Sequence, residues 1–170
     1  MRESPKRQAA RVRGSARAGF SYVELVTVLA ILAIVAALAA PRMASSMSNR
    51  RADLAARQIA SDLESARRWA MTHSTSQQFL VLASMIPGYT LPGLENPDHA
   101  GQVYTVYYFP NSWGMTFESV DLGHDSDTNR LMIEFDMYGK PDSGGSIVIS
   151  IGGHRRTITV DDDTGLVTIQ

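Results

Sequence analysis

The sequence predicts an α+β protein: a long hydrophobic N-terminal helix, transmembrane in its first part, packed on an antiparallel β domain. Three observations predict it. Residues 25–40 are apolar at fifteen of sixteen positions, the exception being Thr27. Apolar residues then recur at steps of three and four from Ala52 to Ala70, which is one face of a helix. Beyond His73 the pattern becomes short β-type runs separated by turns containing glycine or proline.

The chain has 170 residues, room for one ordinary domain, and a formal charge of −1 sets up no strong field towards any class of partner. It has no cysteine, which removes disulfides, thiolate metal sites, iron–sulfur clusters and a cysteine nucleophile. The charge is unevenly placed. Residues 1–19 hold six bases and one acid, residues 42–68 six bases and three acids, and residues 69–170 four bases and twelve acids. Between the first two blocks, Glu24 is the single charge. A basic head, an apolar bar and an acidic body describe an exported, tethered protein rather than a cytosolic one.

From Phe20, 21 residues precede Pro41, and a helix of about 20 residues spans the hydrocarbon core of a bilayer. A buried core helix fits poorly, since a domain this small has no interior to surround it. A secretory signal peptide shares the basic start and the small residues Ala36, Ala37, Ala39 and Ala40, but this apolar run is longer than a typical signal core. The arginines before the bar direct the N-terminus to the cytoplasm and the body across the membrane. Glu24 is the anomaly. An acid deep in a bilayer costs on the order of 2.5–3.5 kcal/mol, and the nearest flanking arginines are Arg17 and Arg42. Either Glu24 sits at the headgroup level, or it pairs with a positive charge from another copy or another protein.

The stretch Gly19-Phe20-Ser21-Tyr22-Val23-Glu24-Leu25 resembles the class III signal of type IV pilins and type II secretion pseudopilins. A basic leader ends in Gly, Phe follows, and Glu is the fifth residue after the junction. Pro41 also falls where the long pilin helix often has a proline. The resemblance implies a pilin-like fold and a prepilin peptidase that cuts between Gly19 and Phe20. It implies N-methylation of the new Phe20 amine, and an assembly role for Glu24 in neutralising the Phe20 amine of a neighbouring subunit. The organisation expected is a cleaved leader at 1–19, a transmembrane and assembly helix at 20–41, its amphipathic continuation at 42–73 and a periplasmic β domain at 74–170. The basic leader is then a targeting segment, outside the fold.

In the continuation, Ala52, Ala55, Ile59, Leu63, Ala66 and Ala70 form the apolar stripe. Arg50, Arg51, Asp53, Arg57, Asp62, Glu64, Arg67 and Arg68 occupy the other face. Asp53 with Arg57, and Glu64 with Arg68, are acid-before-base pairs at i,i+4. Pro41 is expected to kink the helix, and Ser45, Ser46, Ser48 and Asn49 to form a weak helical patch that serves as a hinge. Strands are expected at 78–86, 103–109, 131–135, 146–151, 156–160 and 166–169. Pro87-Gly88, Pro92-Gly93, Tyr138-Gly139-Lys140-Pro141, Gly152-Gly153 and Asp163-Thr164-Gly165 read as turns, with Gly152-Gly153 a hairpin signal. Apart from the strand expected at 103–109, residues 91–127 read as loop-rich.

From Phe135 onward the arrangement resembles the C-terminal domain shared by the GspH and FimT minor pseudopilins and pilins. The shared features are a strand ending before a Gly, a hairpin whose second strand starts with basic residues, a Thr-Gly turn and a last short strand. The resemblance implies a structural, non-enzymatic minor pseudopilin of a type II secretion system. Its expected partners are prepilin peptidase, other minor and major pseudopilins, and inner-membrane lipid. The alternative is a FimT-like minor type IV pilin that takes part in pilus assembly or DNA uptake. FimT-like pilins can bind DNA through a Gly-Arg-x-Arg motif near the C-terminus. The matching stretch here is Gly165-Leu166-Val167-Thr168, with both arginines replaced, so nucleic acid is not an expected partner. A third reading is an enzyme or sensor held by an uncleaved helix.

No constellation argues for catalysis, and neither cofactor nor metal is expected. His73, His99, His124 and His154 lack metal-ligand spacing, and no phosphate-binding loop or dinucleotide fingerprint is visible. Asp125-Ser126-Asp127-Thr128-Asn129 begins like a calcium loop, but Arg130 replaces the turn glycine and Asp136 the terminal glutamate. Asp161-Asp162-Asp163 could attract calcium, or simply form a turn. His154-Arg155-Arg156 is the basic cluster of the body, and Arg155 and Arg156 are candidates for a weak anion or partner contact.

Overall fold

A computed structural model describes residues 19–109, 114–125 and 130–170. Within it the protein is α+β, with one long helix, apolar in its first part, and two antiparallel sheets. Helix α1 (Tyr22–His73) is followed by β1 (Gln77–Leu82), β2 (Gly88–Glu95), β3 (Val103–Tyr107), β4 (Met115–Asp121), β5 (His124–Asp125), β6 (Arg130–Phe135), β7 (Gly145–Ile151), β8 (His154–Val160) and β9 (Val167–Ile169). The chain divides into two compact units, Met1–Ala40 and Pro41–Gln170.

In the first unit, α1 is long and apolar enough to cross a membrane, and its large side chains are exposed throughout. Thr27, the polar residue of the bar, donates its hydroxyl to the Val23 carbonyl at 2.7 Å. That local bond satisfies the hydroxyl within the helix. Helical structure continues through position 41 and through Ser45, Ser46, Ser48 and Asn49, where a hinge was expected.

In the second unit, the predicted stripe on α1 is fully buried: Ala52, Ala55, Ile59, Leu63, Ala66 and Ala70. Ala56 and Ala60 widen it. Small residues let a helix approach a sheet closely, so two large anchors, Ile59 and Leu63, fill the core with Phe79, Tyr89, Ile133, Phe135, Ile149 and Ile158. Asp53 and Arg57 pair at 2.8 Å as expected. Glu64 does not turn to Arg68. It stands 3.8 Å from Arg67 and accepts the backbone N–H of Val167 at 3.2 Å, while Arg68 donates to Ser65. The contact to β9 draws the carboxylate towards the sheet and away from Arg68.

The larger sheet has the order β3-β2-β1-β6-β5, the smaller β4-β7-β8-β9. Each of the six predicted runs carries a strand, but 78–86 stops at Leu82, where Ser84 donates to the Ile86 carbonyl and closes a turn before Pro87. The 91–127 stretch is not loop-rich. It holds the end of β2, all of β3 and β4, and β5. Pro92-Gly93 is not a turn but lies inside β2, at a register shift between Leu91 and Glu95. A bulge frees the proline from donating to the ladder, which is how a strand tolerates one. A Cβ at Gly93 would meet the end of the Gln77 side chain, which would have to move aside.

Candidate functional site

The N-terminal junction is built by the start of α1. Gly19, Phe20 and Ser21 precede the helix, and Phe20 is 83% exposed. Tyr22 is the first helical residue, so Ser21 and Glu24 occupy the N-cap and third positions of the capping pattern Ser-x-x-Glu. Glu24 is exposed in the first turn, where the positive end of the helix dipole favours an acid. Gly19 and Phe20 are exposed, and a Cβ at Gly19 would touch nothing within 4 Å. Immediately beyond Glu24, Leu25, Val26, Leu29, Leu32, Val35 and Leu38 stay between 47% and 69% exposed. An apolar surface of this extent is of the kind that a membrane or an apolar partner covers.

The basic cluster of the body is occupied by intramolecular partners. Arg156 donates to Asn49 Oδ1 at 2.7 Å and to the Arg155 carbonyl at 2.7 Å, and stands 3.8 Å from Asp53. Arg155 pairs with Glu118 on β4. His154 shares a hydrogen bond with Ser45 at 3.1 Å. Gly152 and Gly153 adopt φ of +56° and +83°, as a two-residue hairpin turn demands, and a Cβ on Gly152 would stand 2.6 Å from Ser48 Oγ. The Ser45–Asn49 patch read as a hinge is therefore the docking surface for this hairpin.

The three adjacent aspartates diverge. Asp161 accepts the N–H and hydroxyl of Thr164, Asp162 accepts Gly144 N–H, and Asp163 stands 3.9 Å from Lys140. The Thr164 bonds hold the Asp161 carboxyl below its ordinary pKa. Most of the Asp125–Asn129 motif lies outside the described residues. Of the histidines, His73 stacks on Trp69 with ring centroids 4.2 Å apart, and His99 lies in a hydrogen-bonded turn. Nothing is described of the His124 side chain. Among the described residues no group of three or more His, Asp or Glu side chains could hold a metal ion.

No family model, curated protein or solved structure matches this chain.

A polar cluster that sequence reasoning missed joins α1 to the larger sheet. Tyr89 and Tyr104 both donate to Asp62 Oδ2, at 2.6 and 3.0 Å, and Tyr108 reaches Gln58 at 3.4 Å. Burial, the first cause, and the Asp62 carboxylate raise Tyr89 far above its ordinary pKa. Burial and then Asp62 push Tyr104 up to about 12. Burial raises Tyr108 to about 12, against a hydrogen bond with Tyr89 that lowers it. These hydroxyls are held neutral and serve as donors, which fixes the helix against the sheet. Asp62 read from sequence as one more charge on a solvated face, and its partners lie 27 and 42 residues away.

Proposed function

We propose that the chain is a structural, non-enzymatic minor pseudopilin of a type II secretion system, of the GspH kind. It is inserted in the bacterial inner membrane with its N-terminus cytoplasmic and its β domain periplasmic. Prepilin peptidase removes residues 1–19, and Phe20 is N-methylated. Glu24 then meets the Phe20 amine of a neighbouring subunit, and the protein joins the tip of a short pseudopilus that assists export of folded proteins. A pilin-like packing of the long helix on the β domain belongs to this reading.

The observation that carries it is the junction itself. Gly19 and Phe20 precede the helix uncovered, Glu24 lies in the first helical turn, and an exposed apolar helix follows at once. An acid placed there has a physical use when a cation approaches from another subunit, because pairing offsets the cost of placing the charge near lipid.

The test is the culture-supernatant proteome of a deletion strain against its parent, with complementation. The reading expects a set of exoproteins to leave the medium and build up in the periplasm, with rescue by the wild-type chain and not by a Gly19 variant that blocks cleavage. An unchanged secretome with loss of pili or of DNA uptake would assign the chain to a type IV pilus instead.

A further inference from the structure

Among the described residues the two sheets have four edge strands, and three of them are blunted. β5 has two residues and β9 three. β4 carries Glu118 and Asp121 and a register shift between Phe117 and Ser119. Short length, charge and bulges are the devices that stop strands from pairing with other chains. β3 reads Val103-Tyr104-Thr105-Val106-Tyr107, without charge or proline, and the register shift in its ladder lies on β2, between Leu91 and Glu95. Among the described residues it pairs on one side only, with β2.

The register shows which groups the open edge presents. Tyr108 N–H donates to the Pro87 carbonyl, towards β2, and the Tyr104 carbonyl, opposite Leu91, accepts the Thr90 side-chain hydroxyl on β2. Alternation along the strand then turns the backbone groups of Val103, Thr105 and Tyr107 outward. Val103 and Tyr107 are 48% and 50% exposed.

We propose that β3 pairs with β3 of a second copy of this chain, antiparallel about a two-fold axis through Thr105. The strand is complementary to itself in that register alone. Val103 faces Tyr107 of the second copy, Tyr104 faces Val106, and Thr105 faces Thr105. Aromatic residues opposite β-branched ones, and Thr opposite Thr, are favoured cross-strand pairs, and the equivalence of the two surfaces is what a two-fold contact requires. Charge selects the same place. The unit from Pro41 to Gln170 holds fifteen acids against ten bases, so two copies carry like net charge, whereas β3 brings no charge to the contact. A five-residue edge contact buries less than the roughly 1,200 Å² of a stable interface. The pairing is therefore reversible, and it is independent of whether the chain serves a secretion system.

Covalent trapping tests it, using the full chain in detergent micelles. The chain has no native cysteine. In the proposed register two Thr105→Cys residues have Cα atoms about 5.5 Å apart, within disulfide range. Under mild oxidation, Thr105→Cys is expected to give a dimer at twice the monomer mass, and Thr168→Cys on the β9 edge to remain monomeric. A mixture of Val103→Cys and Tyr107→Cys chains is expected to cross-link as the mixed dimer. Adding Val103→Lys to Thr105→Cys should abolish the dimer without changing the circular dichroism spectrum. A Thr105→Cys dimer no more abundant than that of Thr168→Cys, or one that survives Val103→Lys, would overturn the proposal. So would Val103→Cys pairing with itself, the mark of a parallel register.

Discussion

Tyr89 donates its hydroxyl to Asp62 over 2.6 Å, which ties the second strand of the larger sheet to the helix packed on it. Tyr104 on the neighbouring strand donates to the same oxygen at 3.0 Å. Asp62→Ala removes the acceptor that the two hydroxyls share, and leaving a buried donor unsatisfied costs about 1–3 kcal/mol. Tyr89→Phe removes one donor and leaves Tyr104 in place, at a cost of about 1 kcal/mol. Chemical denaturation of the two variants and of the double variant should show Asp62→Ala as the worse single change, with non-additive losses.

Alkaline pH should act on the same cluster. The folded pKa values of Tyr89, Tyr104 and Tyr108 all lie above the ordinary tyrosine value of 10.0, the last two at about 12. A raised acid favours the folded state fully while tyrosines of the unfolded chain are protonated. That contribution falls once the unfolded chain begins to lose protons that the folded state keeps. Stability should therefore hold below pH 10.0 and decline from there towards about 12. Tyr89→Phe should flatten the decline in a melting-temperature series.

The end of α1 supplies a backbone test. Ser74 has φ of 51°, and Thr75 N–H reaches back to the Ala70 carbonyl at 3.2 Å, as in a Schellman ending. A side chain in this left-handed region costs about 1–2 kcal/mol. Ser74→Gly should raise stability by about 1 kcal/mol, the strain relieved outweighing the added freedom of the unfolded chain. Ser74→Val should lower it, and both shifts are readable by denaturant titration.

Arg155 and Arg156 are neighbours with different expected effects. The Arg155 side chain is 72% exposed and pairs with Glu118, whereas that of Arg156 is 24% exposed and bonds Asn49. Arg155→Ala should change stability by less than about 1 kcal/mol. Arg156→Ala removes a charged hydrogen bond from the hairpin–helix contact and should cost about 1.5–3 kcal/mol. Equal losses in the two variants would count against the separation.

How much was legible in the sequence follows from how local each signal is. The apolar bar is a continuous run and the stripe from Ala52 to Ala70 is periodic, so both were readable, and the stripe buries as expected while the bar stays exposed. The Gly152-Gly153 turn was readable because two consecutive residues adopt positive φ. β2 was hidden because Pro92-Gly93 signals a turn unless a bulge absorbs the proline, and the bulge depends on pairing with β3. β4 was hidden because Glu118 and Asp121 weaken its apolar alternation. The proposed junction at Gly19, Phe20 and Glu24 is contiguous, so its pattern is visible in the sequence alone. The Asp62 cluster could not, since nothing local distinguishes a carboxylate that meets two distant tyrosines from one that meets water.

The most direct measurement of the central claim is the N-terminus of the protein purified from the membrane of its host, read by peptide mass spectrometry. The account predicts a chain that begins at Phe20 and carries a methyl group on its amine, and a Gly19→Arg variant that keeps residues 1–19. A mature wild-type chain that still contains the 1–19 segment, in a host shown to process its other prepilins, would contradict it.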